Sequence, residues 1–406
     1  MGFVRRMSAL ALAVGLVAAC GSDDSSGSGS ADPAKADEIM RVVRETMEDA
    51  HLKSVIVKAS VDGDVVVEEA VGESMSGVSA GTDMHFRNGS VAMSYVATLL
   101  LVLVDQGVVS LDDKVSEWLP DLSNGDRVTL GQLAQMTSGY RDYVLGNAEF
   151  NAELDANPFR QWTPEELISY PVSQPLLYDP GTNWNYAHTN YVILGLALEK
   201  ITGTPLAEAL QEKVLGPMGL DQTTDPGTPA IADPALHAFT SERRDALKIP
   251  QEVRFYEEST YWNPSWTMAR GAIQTTDIDD MHASAIAIGN GDLLTAESYL
   301  QMVTRNLIGK TTTLDGCATC FAQSDEYSYG LGIVSTGDWL IQNPFFSGES
   351  GVMAYLPSDK VAIAVAVTYG EEAFDGSGNT SNKAEDLFQK IGAVLAPEQA
   401  PPTPEG

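Results

Sequence analysis

Phe86-Arg-Asn-Gly-Ser90-Val-Ala-Met93-Ser-Tyr-Val-Ala-Thr98, running on through Leu99-Leu-Leu-Val-Leu-Val-Asp105-Gln-Gly107, is the stretch on which the fold turns. Polar residues give way after Ser90 to a mostly apolar run, which predicts a helix over 90–106 that ends at Gly107. The run from Val96 to Val104 is only nine residues, which fits a buried helix and not a bilayer span. Ser90 therefore stands at a helix start, directly behind a glycine. Ser110-Leu-Asp-Asp113 then reads as a capping box that opens the next segment.

Working outward, residues 34–50 carry helical spacing at Ile39, Val42, Val43 and Met47. Ser54 to Ser60 and Asp64 to Ala70 alternate β-branched and polar residues around Val61-Asp62-Gly63, a hairpin signature. The middle, about 127–260, reads as helices joined by loops rich in Pro, Gly and Asn. Strand patterns return at Tyr329–Val334, Trp339–Ile341, Val352–Leu356 and Val361–Val367, and a helix from about Asn382 to Leu395 follows. Strands at both ends around a helical middle predict an α/β (α+β) fold. Its antiparallel sheet is built from both chain ends, flanked by helices, and carries an inserted helical domain. The lobes would be about 34–88 with 265–395 (sheet) and about 89–264 (helices).

The 406 residues are 44% hydrophobic and 20% charged, so the chain can build a core. The formal net charge of -32 repels nucleic acid and anionic lipid, which excludes electrostatic binding to either. Residues 1–19 pair Arg5 and Arg6 with a short apolar run, the shape of a secretory signal. Val17-Ala18-Ala19-Cys20 resembles a bacterial lipobox, in which Cys20 becomes a lipid-modified N-terminus anchored to the outer face of the membrane. A plain cleavage site with a chance cysteine is the alternative. Residues 20–33 read as a tether and 396–406 as a Pro-rich disordered tail. Cys317-Ala-Thr-Cys320 reads as a loop-closing disulfide, since no second pair completes a zinc site. His51, His85, His188, His237 and His282 lack metal-ligand spacing, so no metal or other cofactor is expected.

The opening stretch resembles the serine β-lactamase and penicillin-binding-protein superfamily, in particular its class C β-lactamase, DD-peptidase and related esterase branch. Val128-Thr-Leu-Gly-Gln-Leu-Ala-Gln-Met-Thr-Ser-Gly139, Asp179-Pro-Gly-Thr-Asn-Trp-Asn-Tyr186-Ala-His188, Glu199 to Gly203, Leu215 to Leu220, Arg270 to Asp277 and Ser328 to Gly332 follow in the family's order, over nearly all of 36–395. The family pattern is Ser-x-x-Lys, Tyr-x-Asn and Lys or His-x-Gly. A serine hydroxyl needs a base, and a lysine three residues on lies on the same helix face. The resemblance places the nucleophile at Ser90, but Met93 stands at the lysine position, and a thioether has no titratable nitrogen. Tyr186 is kept, and His188 stands where the family has asparagine. Counting back from Gly348 and Tyr355 puts the third motif on Gln342-Asn-Pro344. A shifted register puts it on Phe346-Ser347-Gly348. Neither supplies a base, and Pro344 removes a backbone N–H.

Two functions follow. One is a hydrolase of esters or amides, of the peptidoglycan-peptide or ester-like kind, with rewired proton transfer. In it His188, a side chain that ordinarily exchanges protons near neutral pH, accepts the Ser90 proton and Tyr186 donates to the leaving group. Met93, Gln342, Ser347 and Gly348 would border the substrate, and backbone N–H groups at Ser90 and near Phe345 to Ser347 would hold the oxyanion. The other is a pseudoenzyme that keeps the cleft to bind an envelope ligand or a protein partner. The plainer readings of the same residues are a helix cap for Ser90, core filler for Met93 and cleft lining for Tyr186 and His188.

Overall fold

A computed structural model describes residues 33–402. Helix α1 (Pro33–Asp49) leads into β1 (Leu52–Val61) and β2 (Asp64–Met75). The turn residues Asp62 and Gly63 both have positive φ, the backbone that a two-residue hairpin loop with the sheet's own twist requires. A short β3 (Val78–Ser79) extends this edge. The remaining strands come from the end of the chain: β4 (Ser328–Tyr329), β5 (Val334–Thr336), β6 (Trp339–Gln342), β7 (Phe345–Phe346), β8 (Glu349–Leu356) and β9 (Val361–Tyr369). They form one antiparallel sheet of order β3-β2-β1-β9-β8-β6-β5-β4, with β7 paired to β8 off that path. The two chain ends meet where β1 pairs β9, from Val61 opposite Val361 to Leu52 opposite Tyr369. This is the α+β architecture that the sequence predicts.

Between the two halves lie the helices. In α2 (Val91–Asp105) every residue from Val91 to Leu103 is buried, as an all-round apolar helix must be. It ends where the Gly107 and Val108 N–H groups bond back to Val104 and Leu103, with Gly107 left-handed. The Asp113 carboxylate accepts the Ser110 N–H at 2.7 Å, but this closes a turn before the single 3₁₀ turn Val115–Glu117 and starts no α-helix. Helix α3 (His188–Thr202) crosses the same lobe.

Helices cover both faces of the sheet. Leu340 sits opposite Tyr355 in the β6–β8 register, so these two share a face and Trp339 points to the other. Helix α4 (Ile278–Asn290) lies on the first face, where a side chain at Gly289 would run into the Tyr355 ring. Helix α5 (Lys383–Leu395) lies on the second, with Phe388 edge-on to Trp339 at 5.2 Å. β8 and β9 are accordingly buried along their whole length.

The expectation of a disordered stretch after 395 is corrected for residues 396–402. Ala396 is buried, Pro397–Gln399 form a 3₁₀ turn, and Pro401 packs where Gly392 has no side chain. The Trp339 indole N–H donates to the Gln399 carbonyl at 2.8 Å, satisfying a buried donor that nothing within the sheet can reach. The cleavage and lipidation expectations at 1–20, and most of the tether, lie outside the described residues. No helix among the described residues is long and apolar enough to cross a membrane.

Candidate active site

Ser90 follows a segment pinned within the sheet lobe. Phe86–Arg87 pair with Thr275–Thr276, and Asn88 clasps Gln274: Asn88 N–H to Gln274 O (3.1 Å), Gln274 N–H to Asn88 Oδ1 (2.9 Å) and Asn88 Nδ2 to Gln274 Oε1 (2.7 Å). Gly89 turns the chain with φ +50°, and a side chain there would strike Pro344 and the Phe346 ring. Ser90 then opens α2, but its side chain caps nothing. Its Oγ is buried, and among the described residues it has no hydrogen-bond partner.

Ser90 and Met93, one helical turn apart, line a cavity of about 400 Å³ together with Tyr186 and His188. Met93 is 1% exposed. The Tyr186 and Tyr329 hydroxyls each approach its Sδ at 3.7 Å, spending two phenolic donors on one weak acceptor. Burial, reinforced by the neighbouring Tyr327 and Asp142, pushes the Tyr186 phenol far above its ordinary range, so it is a proton donor and not a base. Tyr329 is raised in the same direction, again chiefly by burial.

His188 begins α3 and faces the Tyr186 ring edge-on at 5.3 Å. Its Nδ1 lies 3.0 Å from Asp142 Oδ2, and its backbone N–H donates to Asp142 Oδ1 at 3.1 Å. Asp142 also accepts the Leu145 N–H at 3.0 Å. The carboxylate can only accept, so Nδ1 carries a proton. Trp266 completes the wall at 6.1 Å from the imidazole. Asp142 is the member of this group that the sequence reading missed. No local signal marks it, since 46 residues separate the two along the chain.

Of the two third-motif registers, the one on Gln342 is corrected, whereas Phe346 of the shifted register lines the cavity. Gln342 does not border the cavity: it is buried at the end of β6, and its Nε2 donates to the Gly332 carbonyl at 2.7 Å. Ser347 and Gly348 face away as well. The Ser347 carbonyl accepts the Ser259 hydroxyl, and Gly348 packs against the backbone at Phe239. Pro344 removes one N–H between β6 and β7, but the register against β8 runs on unchanged from Gln342 opposite Met353 to Phe345 opposite Ser350, and the Gly351 N–H donates to the Pro344 carbonyl at 2.9 Å. Asn343, Phe345 and Phe346 line the cavity instead.

Behind Phe346, Glu349 accepts the Arg87 backbone N–H. Burial raises its carboxyl to about 7, against the opposing pull of the Arg87 guanidinium. The folded protein therefore binds a proton that the unfolded chain releases nearer pH 4.5. This contribution is present below pH 4.5 and is lost as pH rises through 7. Chemical denaturation at pH 5 and pH 8 is expected to show a loss on the order of 2 kcal/mol. Glu349→Gln should flatten that slope, and an unchanged slope in the variant rules out Glu349 as its source.

Cys317 and Cys320 are disulfide-bonded, and the Thr319 hydroxyl between them donates to the Tyr186 carbonyl at 3.1 Å. The closed loop thus braces the backbone of a cavity residue.

A sheet made from both chain ends, a helical insertion and a serine at a helix start lining the same cavity as a tyrosine define the β-lactamase-type fold. Comparison with known proteins agrees: the chain belongs to the Beta-lactamase family, whose model matches residues 39–387. It is 31% identical to "Penicillin-binding protein 4" of Amycolatopsis lactamdurans over 43% of this chain and 45% of that protein. It is 29% identical to "Esterase EstB" of Burkholderia gladioli over 44% and 48% respectively. The chain spans about half the length of the curated relatives it matches. Among solved structures, a D-stereospecific amidohydrolase from Streptomyces sp. superposes with a TM-score of 0.68 at 24% identity, covering 90% of this chain and 99% of that one, a likeness of fold.

Proposed function

We propose that this chain is an exported, lipid-anchored member of the family whose groove binds an ester- or amide-bearing envelope ligand without ordinary acyl-enzyme turnover. One observation carries the reading: among the described residues Ser90 Oγ has no hydrogen-bond partner, and the group one turn along is the Met93 thioether, on which two phenols converge. No amine stands there to take the serine proton, and losing general-base help costs about 10²–10⁴ in rate. The export reading rests on residues 1–20 and on relatives that are named penicillin-binding proteins.

Fluorophosphonate labelling from pH 5 to pH 9 tests the reading. The wild type is expected to stay unlabelled. Labelling of wild type that disappears in Ser90→Ala overturns the binding-only reading. A second reading then takes its place, supported by the Asp142–His188 pair, whose Nε2 would accept the Ser90 proton. Under it, His188→Asn also abolishes labelling. The anchor is tested in the native host with an alkyne-tagged palmitate. Incorporation that Cys20→Ala does not remove would exclude lipidation at that residue.

A further inference from the structure

We infer that the ligand of this groove is neutral and apolar, an aryl- or acyl-bearing ester or amide with no carboxylate beside its scissile bond. The inference rests on the functional reading above and adds the substrate class. Among the described residues, no Lys, Arg, Asp or Glu lines the cavity, and its titratable groups are His188, Tyr186 and Tyr327. The charges just behind the wall are negative. Asp142 backs His188, and Glu385 accepts from Asn343 Nδ2 at 3.2 Å. Arg87, the cation on the strand before Ser90, donates to the carbonyls of Pro229, Thr260 and Trp262 and faces Glu349. A ligand carboxylate entering here would lose its water and meet no counter-charge.

Apolar surface takes the place of that counter-charge. Pro344 offers no N–H on the edge beside Ser90, and Phe346 packs edge-on to Trp266 at 6.4 Å. At the rim, Phe345 and Leu145 are 42% and 44% exposed although they line the cavity. Large apolar side chains left open around a concave site mark a surface that a ligand covers. The volume of about 400 Å³ lies within the range that encloses a small organic ligand.

The test is a matched pair of probes, 4-phenylbutanamide and 4-phenylbutanoate, titrated calorimetrically against the whole chain at pH 8. Salt at about 1 M reduces the screening length to about 3 Å, which removes long-range repulsion by the acidic surface. The amide is expected to bind at least about tenfold tighter than the acid. Phe345→Lys, at a half-exposed rim position outside the catalytic constellation, should narrow or reverse that preference. Equal or tighter binding of the acid to wild type overturns the inference and leaves the functional reading standing. Binding of neither probe overturns both. Fluorophosphonate labelling of wild type overturns only the binding-only reading.

Discussion

Replacing Met93 with lysine is expected to raise hydrolysis of p-nitrophenyl acetate by about 10²–10⁴ over wild type, the usual span for adding a positioned general base. Methionine and lysine side chains are both long and unbranched, so the lysine Cδ would replace Sδ and the amine would extend two bonds beyond it, within the cavity that Ser90 and Tyr186 also line. Burial in that position favours the neutral amine, which is the form that takes a proton. The gain should vanish in a Ser90→Ala, Met93→Lys double variant. A Met93→Lys protein that melts cooperatively yet shows no gain would mean that the amine is not what limits turnover. The N–H that Pro344 lacks would then be the remaining deficit.

Asp142→Ala is expected to destabilise the fold by about 3–5 kcal/mol, measured by urea denaturation. The carboxylate holds the His188 ring and the backbone N–H groups of His188 and Leu145, and its side chain is 2% exposed. Removing it orphans two backbone donors and frees the imidazole. Asp142→Asn keeps one acceptor and should cost less than half as much. A loss below about 1 kcal/mol for the alanine variant would show that these donors reach water instead.

What could be read from the chain tracks how local the determining physics is. The Asp62-Gly63 hairpin, the apolar run of α2 and its glycine stop are written within a few residues of where they act. The cluster of Ser90, Met93, Tyr186 and His188 was legible because the order of motifs along the chain implied it. Asp142 was not. It lies 46 residues from His188, and only the folded loop brings its carboxylate to the imidazole. Gln342 failed for a related reason. The chain offered two registers for the motif, and only the fold shows that Phe346 borders the cavity while Gln342 is buried at the end of β6. Residues 396–402 have a composition that reads as unstructured. Their order comes from a distant demand, the Trp339 indole and the slot left by Gly392.

The pairing of β1 with β9 also bears on how the molecule is made. Leu52–Val61 leaves the ribosome early, and its partner Val361–Tyr369 emerges only after the whole helical lobe. The first hairpin must wait with one side unsatisfied, a template for wrong partners and a slow, high-contact-order closure once the last strand arrives. Domains usually mature from the N-terminus during synthesis. Here the keystone follows the whole lobe it encloses, so a nascent chain truncated before Val361 lacks the strand that joins β1 to the rest of the sheet.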